Sequence, residues 1–356
     1  MIKSAIIYFS IISVTSILIE LSLRIKNKKP KELFVVFALS IPSFFSAIRY
    51  GIGTDYFSYV NIFNNVGAGI PVRTEFGFSV IAFIVNKLGG NEHIFFFVIS
   101  FIMFWMVYRA LLYYKGTINI GLGIFIFTLF YYQMSFNLVR MTLAVALALY
   151  SYRYILEKKI IKYLLIIFIA ISIHNSALVI IPFYFLYNWF AYKKKVYRLL
   201  AYVATVFAIF NYDIILKFVI NNILKESYYM RYLSHGYESS FGIGVLVVNL
   251  PFILPGLIYY RSLDKRDYRF KFNFFLLITG FILKFLSYIG ADFINRVSHL
   301  FFVSIIVVIP MYYSLLKKKR ETYFIGIAIV LYAVVYWFYF TVYLGNYDTI
   351  PYQSIL

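Results

Sequence analysis

The sequence predicts an all-α, polytopic membrane protein of about twelve transmembrane or re-entrant helices, with one further helix lying at the outer interface. Three observations predict it. Of the 356 residues, 63% are apolar, 22% are aromatic and only 13% carry charge, a balance that soluble domains do not hold. Apolar runs of roughly 15 to 25 residues follow one another along the chain, the length needed to cross a hydrocarbon core about 30 Å thick. The formal charge of +20 sits mostly in short clusters between those runs, which is the pattern of cytoplasmic loops and not of a nucleic-acid-binding face.

The clusters are Arg24 to Lys31, Arg109 with Lys115, Arg153 to Lys162, Lys193 to Arg198, Arg261 to Lys271, and Lys317 to Arg320. With all six in the cytoplasm, each apolar stretch between them makes a return trip, and both termini come out outside. The spans this requires are 4–23, 32–48, 93–113, 117–134, 137–153, 163–175, 176–191, 196–213, 243–260, 272–290, 294–315 and 322–344. The first carries too much positive charge behind it for a cleaved secretory signal and reads as a retained helix. The whole chain, 1–356, is expected to form one integral membrane domain.

Two outer loops are long enough to carry function, 49–92 and 213–242. Within the first, Glu75 to Leu88 is apolar but reaches only about 21 Å as a helix. It reads as an interfacial helix, because a crossing there would put every later basic cluster on the wrong side. The stretch 163–191 must leave and return to the cytoplasm in two short helices, tilted or re-entrant, with its turn near His174-Asn175-Ser176. Backbone broken at that depth is tolerated only inside protein or beside a water-filled cavity.

This topology sorts the ionisable residues. All four histidines, His93, His174, His235 and His299, fall on or near the outer side, together with Asp55, Glu75, Glu92 and Asp292. Arg49 ends the second helix there, and Arg140 and Arg296 each begin a helix entering from outside. An arginine at a helix centre in a membrane costs about 2.5 to 3.5 kcal/mol, and less near the interface, so something must offset three of them. A guanidinium binds phosphate through two parallel charge-assisted hydrogen bonds, and helix N-termini add partial positive charge. A lipid diphosphate fits that description.

Plainer roles stand beside these. Each arginine alone serves equally well as an interfacial anchor. Gly51-Ile52-Gly53-Thr54 before Asp55 makes a turn, Glu75 caps the helix it begins, His174 can bond a neighbouring carbonyl, and Lys284 faces Asp292 as a structural partner. The Gly-x-Gly patterns at Gly51, Gly67 and Gly242 lack the strand and helix of a nucleotide site. With no cysteine and no carboxylate pair at metal-ligand spacing, no metal and no cofactor is called for.

Four stretches together resemble the EpsG family of bacterial exopolysaccharide polymerases, which is similar in role to the O-antigen polymerases. They are Arg49-Tyr50-Gly51-Ile52-Gly53-Thr54-Asp55-Tyr56 with Tyr59 and Glu75-Phe76-Gly77-Phe78; Asn137-Leu138-Val139-Arg140-Met141-Thr142-Leu143-Ala144; Ala170-Ile171-Ser172-Ile173-His174-Asn175-Ser176-Ala177 with Pro182; and Asn295-Arg296-Val297 with Phe301-Phe302 and Pro310. Met141 and Phe301 depart from the residues the family leads one to expect, glutamine and tyrosine.

The resemblance implies a glycosyltransferase of the bacterial plasma (inner) membrane that polymerises lipid-linked repeat units for exopolysaccharide, capsule or O-antigen. The glycan passes from undecaprenyl diphosphate to an acceptor sugar hydroxyl on the outer face. Asp55 is then expected to act as base, with Glu75 or His174 as substitute. Arg49, Arg140 and Arg296 are expected to hold the diphosphate, and Tyr56 and Tyr59 to stack on sugar. The implied partners are the undecaprenyl-diphosphate-linked oligosaccharide, membrane lipid, a chain-length regulator and a flippase; nucleic acid is not among them. Two other readings remain open. One is a GT-C type glycosyltransferase or ligase with a lipid-phosphate sugar donor, which a GT-C-like fold would suit. The other is a flippase for the same glycans, which the missing internal repeat disfavours.

Overall fold

Residues 1–192, 243–287, 292–316 and 320–355 are described by the computed structural model. The predicted span 196–213, the loop 213–242 with His235, the Lys193 to Arg198 cluster and Lys317 to Lys319 lie outside the described residues. Among the described residues the chain is helical with no strand, as the composition predicts. Five helical stretches there are long and apolar enough to cross a membrane: Ile2–Ser22, Lys28–Ile48, Glu92–Tyr114, Ile294–Leu316 and Tyr323–Tyr343.

The helices that build the site are α1 (Ile2–Ser22), α2 (Lys28–Ile48), α3 (Tyr56–Gly67), α4 (Phe76–Lys87), α5 (Glu92–Leu111), α6 (Ile120–Phe127), α7 (Met134–Asn137), α8 (Val139–Leu156), α9 (Ile160–Ile173) and α10 (Phe183–Tyr192). After the undescribed stretch come α11 (Ile243–Ile258), α12 (Tyr260–Arg266), α13 (Arg269–Leu286), α14 (Asp292–Phe302), α15 (Ile305–Leu316) and α16 (Arg320–Trp337). Two runs are π-helical, Thr128–Tyr132 after α6 and Phe338–Tyr343 after α16.

Helix α8 is the centre. It packs against α5, α9 and α14, and its alternation of small and large residues, with Ala144, Ala146 and Ala148 fully buried, lets backbones approach as they do between membrane helices. Helix α1 is apolar on all sides, and Ile6, Ile17 and Leu21 stay exposed, the state of a helix against lipid. The predicted span 294–315 is broken: α14 and α15 are separated by a tight turn in which Ser304 N–H donates to the Phe301 carbonyl at 3.1 Å.

Both ends of the chain meet the stretch 49–92 at one end of the bundle. Ile355 N–H donates to the Ile48 carbonyl at 3.0 Å, Tyr50 N–H to Gln353 at 3.2 Å and Gly53 N–H to Asp348 at 3.0 Å. Tyr352 N–H reaches the Ser4 hydroxyl at 2.9 Å, and the Tyr8 hydroxyl donates to the Thr349 carbonyl at 2.8 Å. At the opposite end, Glu20 accepts from Gly121 N–H at 3.0 Å, and Asp267 accepts from Thr117 at 2.7 Å. The turns holding Arg24 to Lys31, Arg109 with Lys115, and Arg261 to Lys271 lie towards that end.

The stretch 163–191 is a hairpin. Helix α9 stops at His174, whose extended backbone (φ −157°, ψ 120°) breaks the hydrogen-bond ladder, and a 3-10 turn, Asn175–Ile180, follows. The Tyr163 hydroxyl, from the first turn of α9, donates to the Ile180 carbonyl, so the chain runs back beside α9. At about 21 Å, α9 is the short helix its length predicts.

Candidate active site

Two of the predicted residues converge on the carboxylate of a third. Glu75 stands just before α4, Arg140 in the first turn of α8, and His174 at the break after α9. Glu75 Oε2 accepts from Arg140 Nη1, while its Oε1 lies 3.1 Å from His174 Nδ1 and accepts the Asn175 N–H at 3.3 Å. Arg140 Nη1 also donates to the Thr74 hydroxyl at 3.0 Å.

Gly77 makes the approach possible. A β-carbon there would lie 2.3 Å from Ser172 Oγ and 2.9 Å from the Ser172 carbonyl oxygen, so only glycine lets α4 cross α9 this closely. The crossing lies two residues from Glu75 on one side and two from His174 on the other, which sets the pair opposite each other.

Burial raises the Glu75 carboxyl, but the hydrogen bond to His174 and the Arg140 charge outweigh it and hold it at about 2, below its ordinary 4.5. Glu75 is therefore an anion at neutral pH that fixes two cationic or donor partners. Its contact with His174 uses Nδ1, which leaves Nε2 as the ring nitrogen free for proton transfer. The Arg140 guanidinium also engages the Tyr59 hydroxyl, while its Nε–H is buried with no hydrogen-bond partner among the described residues.

Asp55 and Tyr59 adjoin this cluster. Tyr59 is buried, edge-on to Phe78 at 5.8 Å, and Phe78 in turn lies 5.9 Å below the Arg140 guanidinium. Burial raises the Tyr59 phenol, Arg140 pulls it down and Asp55 pushes it up, so Tyr59 lies within reach of both charges. Asp55 is half-buried at the start of α3, and its carboxylate accepts no hydrogen bond among the described residues.

The other predicted residues lie elsewhere. Arg49 is 1% exposed. Its guanidinium is held between the rings of Phe96 at 4.2 Å and Phe136 at 4.4 Å and donates to Ser46. Tyr56 is buried and stacked on Phe96 at 5.4 Å, so its ring face is already occupied. Arg296 is half-buried on α14, which packs against α8 and the 3-10 turn after His174, but it does not join Arg140 and His174 as an ion-pair partner of Glu75.

The family model for the EpsG family matches residues 31–354. The chain belongs to the EpsG family. No curated protein and no solved structure matches it. Membership in the EpsG family identifies the chain as an exopolysaccharide-polymerase-like membrane protein, and the matched range takes in the whole Glu75, Arg140 and His174 cluster. Within this EpsG-family chain, three contributors were not singled out from sequence: Thr74, the Asn175 amide and Gly77 as a crossing point. Gly77 and Asn175 each carried a signal, the first inside Glu75-Phe76-Gly77-Phe78 and the second in the turn His174-Asn175-Ser176, whereas Thr74 carried none.

Proposed function

We propose that this protein polymerises lipid-linked oligosaccharide repeat units on the outer face of a bacterial plasma membrane, moving the growing glycan from undecaprenyl diphosphate to a sugar hydroxyl of the next unit. The observation that supports this most is the Glu75 carboxylate joining Arg140 and His174 at the broken end of α9. A glycosyl transfer of this kind needs a base at the acceptor and positive charge at the leaving diphosphate, and the cluster holds one of each.

In this reading His174 is the base and Glu75 positions it. Glu75 accepts from Nδ1, so Nε2 takes the acceptor hydroxyl proton as the acceptor oxygen bonds to the donor sugar C1. The C1–O bond to the diphosphate breaks, and its electron pair leaves on a diphosphate neutralised by Arg140. Arg296, on the helix packed against the turn after His174, serves as a second cation for the diphosphate. Arg49 serves as a structural cation under the first loop, since its guanidinium is buried against the rings of Phe96 and Phe136.

Asp55 is the second candidate for the base, favoured by a carboxylate that accepts no hydrogen bond among the described residues. Assaying His174→Ala and Asp55→Asn separately for polymer distinguishes them. His174→Ala is expected to abolish polymer and leave single lipid-linked repeats to accumulate, while Asp55→Asn retains chain growth.

A further inference from the structure

A second polar site is bordered by the π-helical run that precedes α7 and α8. A cavity of about 320 Å³ opens between α11, α13, α14 and the two π-helical runs, within the usual range for a small-molecule site. Both π-helical runs of the described chain border it, through Leu129 to Tyr131 and through Phe340 and Thr341. Such runs distort the helix ladder and gather at functional sites.

The lining is built for a ligand. His299 is 8% exposed and Tyr131 1% exposed, yet His299 Nδ1 and the Tyr131 hydroxyl have no hydrogen-bond partner among the described residues. Buried polar groups left in that state cost free energy unless something entering the cavity bonds them. Lys284 brings an ammonium group, 3.4 Å from the Tyr336 hydroxyl, and Asn295 brings an amide able both to donate and to accept. Trp337 and Tyr336 supply aromatic wall. Gly280 permits the α13 and α14 backbones to touch beside it, since a β-carbon there would lie 2.3 Å from Phe302 N.

We propose that this cavity binds one sugar residue of the acceptor glycan. Aromatic wall, amides, a hydroxyl and a single ammonium suit a ring bearing several hydroxyls, whereas a diphosphate would call for more cations than Lys284. The inference rests on the polymerase reading for its word acceptor, but not for the chemistry of the lining. Tyr347, at the rim, ties the cavity to the first site, because its carbonyl accepts from Asn137 Nδ2 at 2.8 Å. Asn137 precedes Arg140 by three residues, so their Cα atoms are at most about 11 Å apart. A glycan seated here can extend towards His174.

The test is calorimetric titration of the purified full-length protein with the water-soluble repeat oligosaccharide released by mild acid from the lipid-linked pool of the producing cells. This probe has no diphosphate. It is expected to bind wild type and Arg140→Ala alike, and about tenfold more weakly to Lys284→Met and His299→Phe. Asn346→Trp, at the exposed rim, should block binding without disturbing the buried wall. Unchanged binding in all three cavity variants, or no saturable binding to wild type, overturns the proposal. Cavity-dependent binding by a protein that forms no glycosidic bond would sink the polymerase reading and leave the sugar site standing. Polymer formed by Asn346→Trp at the wild-type rate would sink the sugar site alone.

Discussion

His174 meets Glu75 at 3.1 Å across 99 residues of sequence, and the contact uses Nδ1 of the imidazole. Neither residue would face the other without the break in α9 and the glycine in α4. With Glu75 ionised, the contact keeps the proton on Nδ1 and leaves Nε2 as the basic nitrogen of the ring.

Glu75→Gln is predicted to lower kcat about a hundredfold with little change in KM, because the amide cannot hold the imidazolium that forms when His174 accepts a proton. Steady-state assay of purified variants checks this. Equal losses in kcat and in stability would mark a purely structural carboxylate.

Arg140→Ala is predicted to reduce turnover by about 10² to 10³, the scale for removing a donor aimed at developing negative charge. Arg140→Lys should rescue poorly, since an ammonium cannot contact Glu75, Thr74 and a phosphate oxygen in one plane. Single lipid-linked repeats should accumulate in cells carrying either variant and are counted by gel after extraction.

Gly77→Ala should cost about 1 to 3 kcal/mol of stability, because the added carbon meets backbone of Ser172 that cannot swing aside. Thermal unfolding in detergent measures it. Activity should fall further than the stability loss alone explains, as α4 lifts Glu75 from His174.

Acidification should uncouple the same pair. The Glu75 carboxyl is held below its ordinary value, so its contribution to stability is complete above about 4.5 and fades as the pH falls towards about 2. Melting temperatures of wild type and Glu75→Gln should therefore differ at neutral pH and converge across that window.

Gln133 bridges the C-terminal segment to the bundle, accepting from Trp337 Nε1 at 2.7 Å and donating to the Thr349 hydroxyl at 2.9 Å. Replacing it with Leu leaves two buried partners unsatisfied and should cost about 1 to 3 kcal/mol for each. Limited proteolysis should then cut residues 344–355 faster.

The membrane class, the α4 helix and the hairpin at His174 were legible because composition and helix length act locally. The convergence of Glu75, Arg140 and His174 was legible only as a shared face, since hydropathy fixes depth and not rotation about a helix axis. Helix α3 was missed, because Tyr56 to Gly67 alternates Asn and aromatic residues without an apolar run. Arg49 shows the limit most clearly: its place at the end of α2 follows from the sequence, but the two rings it packs against come from Phe96 and Phe136 on other helices. The polar cavity at Lys284 was likewise invisible, for its wall draws on segments from Leu129 to Tyr347 that only tertiary packing brings together.

The most direct test is reconstitution of the purified protein in vesicles with undecaprenyl-diphosphate-linked repeat units as the sole substrate. A ladder of polymer is expected, with one undecaprenyl diphosphate released for every glycosidic bond formed, and no ladder from His174→Ala. Passage of the lipid-linked unit across the bilayer without bond formation, or polymer from the His174→Ala protein at the wild-type rate, would contradict it.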